Sequence, residues 1–152
     1  MGLLYAAPYA GALAASLVSG WATRMRRQGL GVIVAAGLWG VAITLFGLVD
    51  VLWLALALLA LAGAADFVSA VLRSAIALTA TPDSMRGRIS GIELAQVASA
   101  PTLGNVEAGV LASLTSVRFS IVSGGVACVV GTAAIALALP QLLRYDSRRA
   151  RG

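Results

Sequence analysis

The sequence predicts an all-α integral membrane protein of five transmembrane helices, with its N-terminus outside and its C-terminus in the cytoplasm. Three observations predict it. The composition is 60% hydrophobic and 11% charged, where soluble domains carry about 25% charged residues. Apolar stretches of about 20 residues, the length that crosses a bilayer, recur five times between short polar joints. All 11 basic residues are arginines, and those at the joints gather on alternate ones, the pattern of cytoplasmic loops.

The first span covers residues 2–21, is uncharged, and ends at Arg24, Arg26 and Arg27; it lacks the basic stretch that heads a signal peptide. The second covers 30–49 and stops at Asp50, leaving a turn so short that the third, 51–80, returns as its antiparallel partner. Pro82 biases Thr81 away from helical geometry, and Asp83 or Ser84 is placed to cap the next helix. The fourth span covers 89–114 and the fifth 119–142, so residues 1–143 form the membrane bundle and 144–152 a basic cytoplasmic tail. Arg24, Arg26, Arg27, Arg73, Arg86, Arg88, Arg144, Arg148, Arg149 and Arg151 fall towards one side and Arg118 alone towards the other, which fixes the orientation. An external N-terminus heading an odd number of spans suggests that something upstream is missing.

Small residues at Ala36 and Gly40, at Ala127 and Gly131, and at Gly104, Gly109, Gly124 and Gly125 favour close helix approach. Pro8 and Pro101 lie inside apolar helix and are expected to kink it. Tyr5, Tyr9, Trp21, Trp39 and Trp53 suit an interfacial belt or packing rather than a ligand platform.

The composition also excludes chemistry. The chain has no histidine, and its one cysteine, Cys128, lies in an apolar run. Zinc sites, Cys–His nucleophiles and disulfide frameworks are therefore not expected, and neither is a metal or cofactor. An intramembrane enzyme would need a nucleophile and base that the spans do not supply, so no catalytic residue is assigned. The net charge of +5 is explained by topology, without nucleic acid.

Four ionisable residues interrupt the spans: Asp66, Arg73, Glu93 and Glu107. Each costs about 2.5–3.5 kcal/mol at mid-depth on insertion scales, so each should face the bundle or a wet cavity. Arg73 lies at i+7 from Asp66 and leans back towards it. This pair is either a proton- or cation-coupling site or a self-neutralising ion pair that locks the third span. Glu93 sits one turn into the fourth span near Arg86 and Arg88, where helix-dipole and ion-pair stabilisation explain it more simply than transport chemistry. Thr102, Asn105 and Glu107, beside Pro101, are polar groups needing partners; they are candidates to line a substrate cavity or to hydrogen-bond between helices.

The loops resemble a known family. Residues Thr81-Pro82-Asp83-Ser84-Met85-Arg86-Gly87-Arg88 are similar to the P-x-x-x-R-G-R connection between helices ten and eleven of the major facilitator superfamily. Ser19-Gly20-Trp21-Ala22-Thr23-Arg24-Met25-Arg26-Arg27 resembles the basic loop after helix eight, though the Asp and second Gly of the pattern G-x-x-x-D-R-x-G-R-R are absent. The five spans then correspond to helices eight to twelve, in the C-terminal six-helix half of that fold, and the orientation from arginine placement agrees. Gly63-Ala64-Ala65-Asp66 through Arg73, the segment from Pro101 to Gly109, and Gly124-Gly125 leading to Arg144-Tyr145-Asp146 look most like the enterobactin-exporter branch.

The resemblance implies a C-terminal piece of a secondary active transporter in a bacterial inner membrane. Its expected activity is proton-coupled export of a small amphipathic metabolite such as a siderophore. Asp66 and Arg73 would be the buried charge pair, Thr102, Asn105 and Glu107 would face the cavity, and Arg24, Arg26, Arg27, Arg86, Arg88 and Glu93 would form the cytoplasmic loop and gate. The expected partners are the lipid bilayer, the small-molecule substrate, and the missing N-terminal half or another chain. Two alternatives stand: a transporter of the same family with a drug or sugar substrate, and a non-transporting scaffold or partner subunit. In the latter, Arg148, Arg149 and Arg151 would bind anionic lipid at about 1 kcal/mol each.

Overall fold

Runs rich in alanine and leucine favour helix throughout, and the computed structural model of the chain is all-helical. It describes residues 2–22 and 27–140, except for the side chains at 18, 21, 22, 96, 100, 101 and 103. Arg24, Arg26 and the tail arginines lie outside the described residues. The helices are α1 (Gly2–Ala22), α2 (Gln28–Leu48), α3 (Leu52–Ala80), α4 (Arg86–Leu114) and α5 (Val117–Ala138), with a 3-10 turn at Asp83–Met85. Among the described residues, three of them, α2, α3 and α5, are long and apolar enough to cross a membrane. Helix α1 is uncharged over its 21 residues, and α4 is diluted by Arg86, Arg88, Glu93 and Glu107. Pro8 and Pro101 both lie inside continuous helix.

The joints obey local chemistry, with some corrections to the expected caps. Thr81 takes the extended conformation expected of a residue before proline (φ −102°, ψ 126°). Neither Asp83 nor Ser84 caps α4; Met85 occupies that position without a side-chain hydrogen bond. Asp83 instead pairs with Arg86 at 3.1 Å. Helix α4 thus starts three residues ahead of the expected Ile89, and Arg86 and Arg88 lie in its first turn rather than in the loop. Ser116 caps α5 by accepting a hydrogen bond from the Phe119 amide at 3.1 Å. At its other end α5 is interrupted after Ala138, because Leu139 precedes Pro140 and leaves helical geometry (φ −123°, ψ 66°); the expected end at 142 lies outside the described residues.

The helices pack in the order α1, α3, α2, α5, α4: α3 lies between α1 and α2, α2 between α3 and α5, and α4 rests on α5 and the 3-10 turn. The close approaches are made by glycines. A Cβ on Gly11 would stand 1.8 Å from the Ala60 carbonyl oxygen, and one on Gly63 would stand 2.0 Å from that of Pro8, so α1 and α3 meet backbone to backbone. On α2 and α5, Gly40 lies against Val129 and Gly125, Gly125 against Thr44, and Gly47 against Val122. Contacts that descend one helix as they climb the other mark an antiparallel pair.

The predicted small-residue faces are therefore used selectively. Gly40 and Gly125 form a seam, whereas Gly104, Gly109, Gly124 and Gly131 have open space around them. Gly11, Gly47 and Gly63, which the sequence pattern did not single out, carry the rest. The buried apolar residues are mostly alanines, and Leu72 is the one large side chain fully buried among the described residues. Tyr5, Tyr9 and Trp53 are exposed, with leucines and valines around the bundle. That apolar exterior suits hydrocarbon rather than water.

At one end of the bundle Arg118, at the start of α5, pairs with Asp50 in the α2–α3 turn. Both side chains are more than half exposed, and pairs of this kind couple by about 0.2–1 kcal/mol. A double-mutant cycle with Asp50→Asn and Arg118→Gln, read by detergent-induced unfolding, is expected to give a coupling in that range. A coupling above about 3 kcal/mol, typical of breaking a buried pair, would contradict the exposed geometry.

Candidate functional site

Between α2, α3, α4 and α5 lies a cavity of about 1470 Å3. Helical periodicity decides what it sees. On α3 the stripe Asp66, Ala70, Arg73 and Ser74 lines it, and on α4 the stripe Ser90, Glu93, Leu94, Val97 and, beyond Pro101, Gly104, Asn105, Glu107, Ala108 and Leu111; spacings of three, four and seven keep a helix on one face. Helix α2 contributes Trp39, Ile43 and Phe46, and α5 contributes Ser120, Ile121, Ser123, Gly124 and Ala127.

Asp66, Arg73, Glu93, Asn105 and Glu107, singled out one by one along the sequence, thus come to one space. Thr102 is not among the lining residues; it is exposed, and its hydroxyl donates to the Ala98 carbonyl at 3.5 Å. Arg86 and Arg88 lie at the exposed start of α4, and Arg27, also exposed, precedes α2 without a side-chain cap. None of the three lines the cavity.

The electrostatics depart from the expected pairing. Asp66 and Arg73 do not form a direct ion pair: among the described residues the ion pairs are Asp83–Arg86 and Asp50–Arg118. The Arg73 Nε instead donates to the Ser69 carbonyl at 3.4 Å, one helical turn back, where the N-terminal lean of the side chain takes it. Glu93 pairs with neither Arg86 nor Arg88. It accepts a hydrogen bond from the Ser74 hydroxyl at 3.4 Å, a link between α4 and α3. Ser120, buried on α5, donates to the Ala108 carbonyl at 3.0 Å and ties α5 to α4. Asp66 and Glu107 stand exposed at the cavity.

Sequence reasoning missed Trp39, Phe46, Ser90, Ser120 and Ser123 as lining residues. Serines and aromatics scattered through apolar helix carry no local signal; only the arrangement of four helices gives them a common space. A second cavity, about 410 Å3, lies between α2, α3 and α5 and is lined by Gly29, Val32, Ile33, Ala36, Ile76, Ala77, Thr132 and Ile135, with Arg73 shared between the two.

Against known proteins, the chain is 36% identical over 146 residues to the enterobactin exporter EntS of Citrobacter koseri, an overlap covering 95% of this chain and 35% of that exporter. It is 34% identical over 146 residues to the exporters of the same name from Escherichia coli O1:K1 and Shigella flexneri, with the same coverage. The resemblance carried by the loops holds over nearly the whole chain, which spans about a third of the length of these relatives. No protein-family model matches the chain, and no solved structure matches it.

Proposed function

We propose that this chain is the C-terminal part of a secondary active transporter of the major facilitator superfamily, exporting a small amphipathic metabolite such as a siderophore in a proton-coupled way. The observation that carries the reading is the similarity to enterobactin exporters along 95% of the chain. The five helices are read as five spans of a bacterial inner membrane, corresponding to helices eight to twelve. The arginine pattern supports an N-terminus outside and a C-terminus in the cytoplasm. The pairing of Asp50 with Arg118 fits this, because it joins the two turns expected on the outer side. The relatives are named as exporters, in line with a transport role and against an enzymatic one.

In this reading the large cavity is part of the substrate path. Asn105 and Glu107 on α4 and Asp66 and Arg73 on α3 offer hydrogen-bonding and charged groups, with Trp39 and Phe46 as aromatic wall. Such a mix of apolar surface with a few convergent polar groups is what small-molecule sites use. None of the described side chains of α4 is buried. That suits coverage by the rest of a transporter or another chain, since such carriers hold substrate between two halves that rock against each other.

The test is a chimera in which this chain replaces the matching third of the Citrobacter koseri exporter, expressed in cells whose own siderophore exporter is deleted. Restored siderophore export is the expected result. A chimera that inserts at normal abundance yet exports nothing, alongside an active parent, would count against the transporter reading of this segment and favour a scaffold role.

A further inference from the structure

We propose that the cavity between α2, α3, α4 and α5 selects its ligand by charge, taking organic cations and neutral amphipaths and rejecting organic anions of the same size. This rests on the reading of that cavity as a substrate site and adds the property by which it discriminates. Three carboxylates, Asp66, Glu93 and Glu107, face it, against one guanidinium, Arg73. Arg73 offsets at most one of the three, so two negative charges are left uncompensated when all are ionised.

The partners of these groups sharpen the imbalance. Glu93 accepts one hydrogen bond, from Ser74. Asp66 and Glu107 take part in no hydrogen bond or ion pair among the described residues. A cation entering beside these carboxylates is attracted by their charge, whereas an anion is repelled. The aliphatic wall does not discriminate by sign, and the aromatic wall acts in the same direction as the carboxylates. Ile43, Leu94 and Val97 supply apolar surface that either sign of ion uses equally, and Trp39 and Phe46 add ring faces that attract cations further.

Size does not decide either. The volume of about 1470 Å3 exceeds the roughly 300–1,000 Å3 of most small-molecule pockets, so two ions of one shape both fit and the sign of their charge separates them. Asp66 and Glu107 are exposed to the cavity, so a ligand reaches them without helix rearrangement.

The full chain is reconstituted in nanodiscs of zwitterionic lipid and titrated with tetraphenylphosphonium and tetraphenylborate, two ions of the same shape and opposite charge. Saturable binding is measured above that of protein-free nanodiscs. The phosphonium is expected to bind at least about tenfold more tightly than the borate. Asp66→Asn combined with Glu107→Gln should weaken phosphonium binding by about tenfold, and Arg73→Gln should strengthen it. The single variant Glu107→Gln, at an exposed position, should shift affinity in the same direction by less, and it stands in if the double variant fails to insert. Borate binding as tight as phosphonium binding, or phosphonium affinity indifferent to these carboxylates, overturns the charge selection while leaving the cavity as a binding site. Saturable binding of neither ion overturns both.

Discussion

Gly11→Ala and Gly63→Ala are each expected to destabilise the bundle by about 3 kcal/mol, the upper range for overpacking a core. The added methyl carbon would stand 1.8 Å from the Ala60 carbonyl oxygen in the first case and 2.0 Å from the Pro8 carbonyl oxygen in the second. Both obstacles are helix backbone, which cannot rotate aside as a flexible side chain does. Relief requires α1 and α3 to separate, which gives up dispersion contacts along the interface. Gly124→Ala is the control: nothing lies within 4 Å of a Cβ at that position, and alanine in place of glycine in a helix gains up to about 1 kcal/mol. Detergent-induced unfolding followed by circular dichroism distinguishes them. Equal midpoints for Gly11→Ala, Gly63→Ala and Gly124→Ala would mean that α1 and α3 do not meet backbone to backbone.

Asp66→Asn is expected to abolish the response of efflux to a pH gradient in the exporter chimera. A gradient of one pH unit supplies about 1.4 kcal/mol per coupled proton, a tenfold change in accumulation ratio. Asparagine keeps the shape of the side chain and one acceptor oxygen, exchanges the other for an amide donor, and binds no proton, so the tenfold response should vanish while protein abundance is unchanged. The geometry favours Asp66 over Glu93 for this role, because Glu93 is engaged by Ser74 at 3.4 Å whereas Asp66 faces the cavity without a direct ion pair to Arg73. Transport measured in inverted vesicles at matched and opposed pH provides the check. A full response retained in Asp66→Asn would remove Asp66 from coupling and direct attention to Glu107.

The glycine and carboxylate predictions differ in how far the sequence anticipates them. That Asp66, Arg73, Glu93 and Glu107 interrupt apolar helix is visible residue by residue, because each is expensive in hydrocarbon wherever the helix lies. That Gly11 and Gly63 touch backbone while Gly104, Gly109 and Gly124 touch nothing is not visible. All are small residues in apolar helix, and which of them faces a neighbour depends on how helices far apart in the chain are arranged.

Local rules also misjudge the start of α4. Asp83 and Ser84 are placed in sequence to cap it, yet a 3-10 turn intervenes and Asp83 pairs with Arg86 instead. Ion pairing and hydrogen bonding at a joint compete on terms of about 1 kcal/mol, too close for sequence alone to rank. The same limit applies to Arg73. Its spacing from Asp66 favours an ion pair, but its guanidinium turns to the carbonyl of Ser69.

By itself, then, the sequence determined the helical class, the number of helices, their approximate bounds, the costly charges within them and the similarity to a family of exporters. These depend on hydrophobic length, breakers and charge cost, which act within one or two helical turns. Only the tertiary structure decided that the helices pack in the order α1, α3, α2, α5, α4, that α2 and α5 lock through Gly40, Gly47 and Gly125, and that residues from four helices, Trp39 and Ser120 among them, share one cavity. Helix packing is a property of pairs of surfaces, set by which small residues meet, and one helix read alone does not contain its partner.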